Sequence, residues 1–354
     1  MSDSVTLEVP AHRVAPLRAI ADACRACRFA LLSTHVNADG DGAGSEAALV
    51  AWLGSLGKRV RIVNPTPFPD SYRYLIEDAE TIADQGTAAA ADALAHADLV
   101  CVVDTGEPKR VGRVAGVLRG RTVTVLDHHL PSSPGFSGIV VQDASACATG
   151  ELVYDLLTVA GVARPWSRPI IEGVYTAVVT DTGSFRFSNA TPRAHAIAGD
   201  LIAQGVDPET MYRRIFATVP LRRLELLRHA LAALEVDAQL PLTWITVDRT
   251  VMNDLGTGAD DLEGVVEHAR SIEGTEVALL FRETADGSTK VSFRSAGDVD
   301  VNAIARQFGG GGHVKASGAL IHEPIARARE RVLEATRVAL RQQGLDFRAP
   351  LAGR

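Results

Sequence analysis

Residues 29–42 read Phe29-Ala30-Leu31-Leu32-Ser33-Thr34-His35-Val36-Asn37-Ala38-Asp39-Gly40-Asp41-Gly42. A short apolar run, Phe29–Ser33, empties into a polar loop, and helical periodicity then holds from Ala43 to Leu56, stopping at Gly57. Working outward, Arg59–Asn64, Asp98–Asp104 and Thr122–Asp127 are further short runs rich in Val and Leu. Continuous apolar runs separated by helical stretches are those of strands buried on both faces. They predict an α/β fold whose N-terminal domain is a parallel sheet with helices on both sides.

Further along, Ile170–Thr180 reads as a buried helix, and residues 191 to about 235 read as wholly helical, with Pro220 starting a new helix. From Leu242 the texture changes. Thr243–Val247, Glu276–Arg282 and Lys290–Arg294 read as strands, the last two joined across Asp286-Gly287-Ser288 as a hairpin. A helix Val301–Phe308, a glycine run, a strand Ala319–Ile321 and a charged amphipathic helix to about Gln343 complete a smaller α/β C-terminal domain. The expected division is a metal-binding catalytic domain over 1–217, a helical linker over 218–238 and a substrate-binding domain over 239–354.

With 354 residues the chain exceeds one ordinary core, which suits two domains. Hydrophobic residues at 46% and charged residues at 22% are the balance of a globular protein. A net charge of −7 excludes a broad surface for long duplex nucleic acid, which is held chiefly by Lys and Arg on phosphates. The basic residues are mostly Arg, with lysine only at Lys58, Lys109, Lys290 and Lys315, so scattered arginines carry little information. Cys24 and Cys27 form a C-x-x-C without a second pair, which reads as two small helix-face residues rather than a zinc site. No basic-then-apolar leader is present, and no apolar run approaches the ~20 residues of a membrane span, so a cytoplasmic location and no membrane partner are expected.

The chemistry lies at the ends of the apolar runs. The first delivers His35, Asp39 and Asp41, the second Asp104-Thr105-Gly106, the third Asp127-His128-His129, and the apolar helix Asp181-Thr182-Gly183-Ser184. One Asp after a strand is an ordinary cap or turn former. Four such sites converging at the carboxyl ends of sheet strands mark a ligand site. Five carboxylates in one cleft need positive charge, and no Lys or Arg follows in these loops until Lys109 and Arg110. Divalent cations supply it. Carboxylate and imidazole without thiolate suit Mn²⁺ first, or Mg²⁺, with Zn²⁺, Fe²⁺ or Co²⁺ as alternatives. The donor count suits two ions, and two ions ~3.5–4 Å apart are the usual device for in-line attack on phosphorus.

In the C-terminal part, Gly309, Gly310, Gly311 and Gly312 precede His313. Four successive glycines raise the conformational entropy lost on folding, so they need a reason. Close approach to a substrate, with free N–H groups cradling an anion, is one. Arg294 and Ser295 at a strand end, Asn302 and Lys315 are nearby candidates, and Arg294 is suited to clamp a phosphate.

The ordered set His35-x-x-x-Asp39-x-Asp41, Asp104, Asp127-His128-His129 and Asp181 resembles the DHH phosphoesterase superfamily. Arg294-Ser295 and Gly309–His313 resemble the glycine-rich C-terminal domain of its nuclease branch. Residues 28 to 321 carry the resemblance, and Ala38 stands where many relatives have Pro. Without membrane or sensory additions the chain is similar to the oligoribonuclease/3′-phosphoadenosine 5′-phosphate phosphatase group. That resemblance implies one ion on His35, Asp39 and Asp104 and a second on Asp41, Asp104, His128 and Asp181, with Asp104 shared and a water or hydroxide between the ions as nucleophile. It further implies that His129 meets the substrate phosphate or protonates the leaving oxygen and that Asp127 orients the site. Arg294, Ser295, Gly310, Gly311, Gly312, His313 and Arg186 would contact the substrate. The expected partners are short RNA or nucleotide substrates, and a homodimer is compatible with the chain. The alternatives are a cyclic-dinucleotide phosphodiesterase and an inactive nucleotide-binding regulator.

Overall fold

In the computed structural model, which describes residues 7–130 and 135–345, the first apolar run is the strand β1 (Phe29–Ser33). It lies in a five-stranded sheet with β2 (Arg59–Ile62), β3 (Leu99–Val103), β4 (Thr122–Asp127) and β5 (Ile139–Gln142) in the order β2-β1-β3-β4-β5. All pairings are parallel. Every residue of β1 and β3 is buried, as a central strand covered on both faces requires, whereas edge strand β2 shows its first residue to solvent. One face is covered by α1 (Ala11–Ala26), α2 (Gly40–Ser55), then, beyond α3 (Ala88–His96), by α4 (Thr149–Val159) and α5 (Arg168–Asp181); α3 covers the other. The helices α6 (Pro192–Ala203) and α7 (Pro208–Ile215) follow.

Helix α2 begins three residues before the first expected helical position, because the Asp39 side chain caps it by accepting from the N–H groups of Asp41 and Gly42 at 3.1 and 3.2 Å. Helices α2 and α5 pack closely where glycine meets glycine. A Cβ on Gly44 would stand 2.4 Å from the Gly173 carbonyl oxygen, and one on Gly173 2.6 Å from that of Gly44. A Cβ on Gly40 would in turn run into Thr180. The start of α2 therefore lies beside the end of α5, which brings Asp39 and Asp41 to Asp181. The strand order reverses direction between β1 and β3, so the loops after these strands diverge and leave a crevice at their carboxyl ends.

The contacts divide the chain at Thr218/Val219. The second unit holds α8 (Leu221–Ala232), β6 (Leu234–Val236), β7 (Leu242–Val247), α9 (Arg249–Asp254), α10 (Val265–Arg270), β8 (Val277–Glu283), β9 (Thr289–Ser295), α11 (Val301–Arg306), β10 (Gly311–Gly312), β11 (Ala316–Ile321) and α12 (Ile325–Gln342). Its sheet runs β10-β11-β9-β8-β7-β6, with only β7 and β8 parallel. Helices α11 and α12 cover one face and α8, α9 and α10 the other, each over its own apolar core.

Two expectations are corrected here. Residues 218–238 are not a linker: Leu226 and Ala230 of α8 are buried with Ile245 and Val247, and Leu234, Glu235 and Val236 pair with β7. Residues 191–235 are not wholly helical either, because the chain breaks at Gly205, held at φ 116°, and at Pro220, and ends in a strand. Sheet pairing overrides the helical texture of Leu234–Val236. Among the described residues no helix is long and apolar enough to cross a membrane. Cys24 and Cys27 are buried and free.

Candidate metal centre

The loops after β1, β3 and β4 and the end of α5 bring the six expected metal ligands together. Three groups have ligand atoms mutually within 4.8 Å: His35, Asp39 and Asp104; Asp41, His128 and Asp181; and Asp104, His128 and His129. In the first, His35 Nδ1 lies 2.9 Å from the Val36 carbonyl, which places the ring proton there and leaves Nε2 as an acceptor. That lone pair faces Asp104 Oδ2 at 3.2 Å and Asp39 Oδ2 at 3.7 Å. Acceptors facing one another call for a cation or a proton between them.

His128 gives the stronger sign. Its Nε2 is buried without a hydrogen-bond partner among the described residues. It stands 3.6 Å from Asp41 Oδ2, 3.7 Å from Asp104 Oδ1 and 3.6 Å from Asp181 Oδ2. Those separations are long for hydrogen bonds. Metal bonds of ~2.0–2.2 Å set neighbouring ligand atoms ~3–3.5 Å apart, so the spacing fits an enclosed ion. Burial, with the neighbouring His129, brings the His128 imidazole down to about 4, which leaves it neutral and able to ligate at pH 7.

The carboxylates carry the matching debt. Burial, then Asp104, Asp181 and Asp39, push Asp41 well above the carboxylate range; burial, then Asp39, Asp181 and Asp127, do the same to Asp104. Asp181 is pushed up to about 7 by burial and Asp39. Without cations the cluster would take up protons; with them it stays ionised.

Residues outside the sequence expectation hold these ligands. The N–H groups of Thr149 and Gly150, at the start of α4, donate to Asp41 at 2.7 and 2.9 Å, setting a helix N-terminus against a carboxylate. The Thr149 hydroxyl donates to Asp104 Oδ1 at 3.1 Å. Asn189 Nδ2 donates to Asp181 Oδ2 at 3.0 Å, and Gln142 Nε2 to Asp127 Oδ2 at 2.6 Å. Strand β5 and helix α4, which carry Gln142 and Thr149, were both absent from the sequence reading. The pairs Leu152/Val153 and Leu156/Leu157 at helical spacing are the signal that finds α4.

Asp127 accepts from His129, Oδ1 to Nδ1 at 2.8 Å, so His129 is oriented with Nε2 uncommitted to Asp127. Burial alone would raise Asp127, but the hydrogen bonds from His129 and Gln142 bring it below its ordinary value. Asp104 itself is held at φ 60° and Asn37 at φ 56°, and Gly183, Ser184 and Phe185 form a left-handed turn at φ 56°, 58° and 62°. Left-handed non-glycine backbone persists where its surroundings enforce it, and here it surrounds the ligands. Arg186 leaves that turn exposed, with Nε donating to the Gly183 carbonyl at 2.6 Å.

In the second unit the structure separates the expected substrate residues. Arg294 is half-buried on one face of β9, its Nε donating to Glu267 at 3.0 Å. Ser295 points to the opposite face, 3% exposed, its hydroxyl donating to the Gly297 carbonyl. Strand alternation makes a joint site of these two side chains impossible. The glycine run is not an open row of donors. The N–H groups of Gly309 and Gly310 close α11 onto Arg306 and Ala305, while Gly311 and Gly312 pair with Gly318 and Ser317. Gly310 is required by packing, since a Cβ there would sit 2.2 Å from the Gly318 carbonyl oxygen. His313 is exposed at the turn, its N–H donating to the Ala316 carbonyl.

Comparison with known proteins agrees with this division. Residues 30–178 match the DHH family, N-terminal domain, and residues 245–342 match the DHHA1 domain. The bifunctional oligoribonuclease and PAP phosphatase NrnA of Thermus thermophilus is 33% identical over 339 residues, covering 93% of this chain and 95% of that one. The protein of the same name from Bacillus subtilis is 27% identical, covering 82% and 89%. The crystal structure of an exopolyphosphatase-related protein from Bacteroides fragilis superposes with a TM-score of 0.84 at 26% identity, over 93% of this chain and 96% of that one. Similarity along nearly the whole of both chains, over ligand loops that converge on two ion-sized gaps, places this protein in the DHH family of phosphoesterases.

Proposed function

We propose that the protein is a two-metal-ion phosphodiesterase that degrades short oligoribonucleotides and dinucleotides and also releases the 3′-phosphate of 3′-phosphoadenosine 5′-phosphate. The observation that carries this reading is His128 Nε2, buried, unpartnered and 3.6–3.7 Å from carboxylates of three different elements. The activities printed for the two NrnA relatives support the substrate class.

In this reading His35, Asp39 and Asp104 hold one ion, and Asp41, Asp104, His128 and Asp181 the other, with Mn²⁺ preferred by the mixed oxygen and nitrogen donors. When bound, the ions supply a water-derived nucleophile and neutralise charge on the phosphoryl oxygens. The chain's own work is to hold that geometry: Thr149 and Gly150 fix Asp41, Asn189 fixes Asp181, and Asp127 orients His129 toward the substrate phosphate or leaving oxygen. Arg186, Arg294, Gly310, Gly311, Gly312 and His313 are assigned to substrate contacts, and Ser295 to supporting the strand end. A cytoplasmic location belongs to the same proposal.

The test is hydrolysis of a panel of nucleotides by chelated and metal-restored protein, with products separated by chromatography. Chelated protein should be inactive and recover with Mn²⁺, and two- to five-residue RNAs should be cut faster than a 50-residue strand, because a net charge of −7 gives little attraction for long chains. Full activity in excess chelator, or equal rates on a 5-mer and a 50-mer at physiological salt, contradicts the reading. Turnover confined to cyclic dinucleotides would replace it with the alternative.

A further inference from the structure

The register of the second sheet sets Arg282 of β8 directly opposite Lys290 of β9. Lys290, Ser292 and Arg294 share one face of β9, while Val291 and Phe293 enter the core on the other. Both cations are half-buried, and among the described residues neither makes a hydrogen bond or a close ion pair. Asp260 attracts Arg282 at longer range. Like charges directly opposite on a sheet destabilise it, and burial adds to the cost. Burial and the facing Arg282 hold Lys290 below its ordinary value, and burial does the same to Arg282.

The pair opens into a cleft of about 190 Å³ lined by Arg282, Lys290, Ser292, Arg294, Leu280 and Gly264. Glu263 also faces it, and Arg294 is engaged by Glu267, so the two cations without a close partner are Arg282 and Lys290. The volume lies below the ~300 Å³ at which pockets for drug-sized ligands begin, which suits a single phosphate group and not a nucleoside. Gly318 of β11 pairs with Ser292, and a Cβ there would come within 3.4 Å of Lys290 Nζ. Its absence keeps the approach to Lys290 open. Four residues of strand separate Lys290 from Arg294, ~13 Å, so the two positions serve different groups of one extended ligand.

We propose that Arg282 and Lys290, with Ser292 between Lys290 and Arg294, form a subsite for one backbone phosphate of an oligonucleotide, additional to any phosphate met by Arg294. This rests on the phosphodiesterase reading above and gives it a source of preference among short substrates: an oligomer long enough to fill the subsite is held better than a dinucleotide.

The experiment compares Arg282→Gln, Lys290→Gln and the double variant with the wild type. On a pentanucleotide, kcat/KM should fall on the order of tenfold per cation, and that loss should exceed the loss on bis-p-nitrophenyl phosphate by about the same factor. In the double variant the slope of log kcat/KM against log salt should become shallower by about 1.4. Lys290→Arg should keep most of the activity. The melting temperature should hold or rise, because a repulsive pair is relieved; a fall in melting temperature with equal losses on both substrates assigns the pair to the fold and overturns the proposal. A second readout needs no turnover: tripolyphosphate titrated into the metal-free full-length chain in chelator should bind about tenfold or more weaker to the double variant. Unchanged tripolyphosphate affinity overturns the subsite. If the wild type cuts no oligoribonucleotide while that affinity still falls, the phosphodiesterase reading fails and the anion subsite stands.

Discussion

The two charged regions of this protein answer burial in opposite ways. At the carboxyl ends of β1, β3 and β4 the charge is negative and deep, with Asp41 and Asp104 each 1% exposed. On the outer face of β8 and β9 it is positive and only half-buried, at Arg282, Lys290 and Arg294. The difference follows from what can compensate each. A divalent ion is small enough to be enclosed, so its ligands can be buried to the point where they could not remain ionised alone. A polyanion cannot be enclosed, so the cations that meet it stay at a half-open surface and keep part of their hydration. Depth of burial and sign of charge together separate a site for an ion from a site for a strand.

The largest effect that tests this contrast is at Asp104, which both ion groups share. Asp104→Ala and Asp104→Asn should lower turnover on the order of a thousandfold or more, since one change removes a ligand from each ion. In chelator the same Asn variant should melt at a higher temperature than the wild type. Asp104 is destabilised there by burial and by Asp39, Asp181 and Asp127, and the amide removes that charge. Thermal melts with and without Mn²⁺, beside kcat on a dinucleotide, check both halves. Near-native turnover in Asp104→Asn while Asp39→Ala is inactive would end the shared-ligand assignment.

How far the sequence revealed each region follows from the same physics. Metal ligands sit at strand ends, and a buried parallel strand announces itself as an unbroken apolar run such as Leu99–Val103, so His35, Asp104 and His128 were legible. The residues that hold them were not. Thr149, Gly150 and Asn189 act through contacts to chain segments 108 or 8 residues away, and nothing in their immediate neighbours differs from an ordinary loop. Ser295 was misread because adjacency in a strand places neighbours on opposite faces. The glycine run was read as free donors, whereas two of its N–H groups close a helix and Gly310 is demanded by the approach of β11, a contact no local pattern encodes. The Arg282–Lys290 pair depends on register, which is fixed only once the hairpin is built.

A smaller effect is expected at Arg294. Its ion pair with Glu267 is partly exposed and contributes little to folding, so Arg294→Ala should leave the melting temperature and metal binding near the wild-type values. A charged hydrogen bond to substrate is worth ~1.5–3 kcal/mol, so kcat/KM on dinucleotides should fall roughly ten- to hundredfold. Bis-p-nitrophenyl phosphate, which lacks a second phosphate, should lose much less. Equal damage to the two substrates would mean that Arg294 serves the reaction centre or the fold, and the division between ion-holding and strand-holding regions would fail.

The smallest effect on turnover, and the one that sharpens the comparison most, is at Glu46. It is fully buried on α2, one oxygen accepting from Asn64 Nδ2 at 2.9 Å and the other unpartnered, in the same unit as the aspartates but in neither ion group. Burial pushes it up to about 8, against the hydrogen bond from Asn64 and the attraction of His35. Here burial is answered by a proton instead of a cation. The unfolded carboxyl ionises near pH 4.5 while the folded one stays neutral, so below that pH the residue costs nothing. Its penalty on stability grows as pH rises from about 4.5 to about 8, then levels off when the folded form ionises too, reaching on the order of a few kcal/mol. Glu46→Gln should therefore keep near-native kcat and flatten the decline in unfolding free energy between pH 5 and 8. The absolute level is a poorer guide, because the new amide brings buried donors of its own. Denaturant unfolding at pH 5, 6, 7 and 8 in chelator measures the slope. Mn²⁺ bound beside His35 would favour the ionised carboxylate and should shrink the difference between wild type and variant. Parallel pH profiles for the two proteins would show that Glu46 is ionised in the folded state, and that burial in this unit is met by charge throughout.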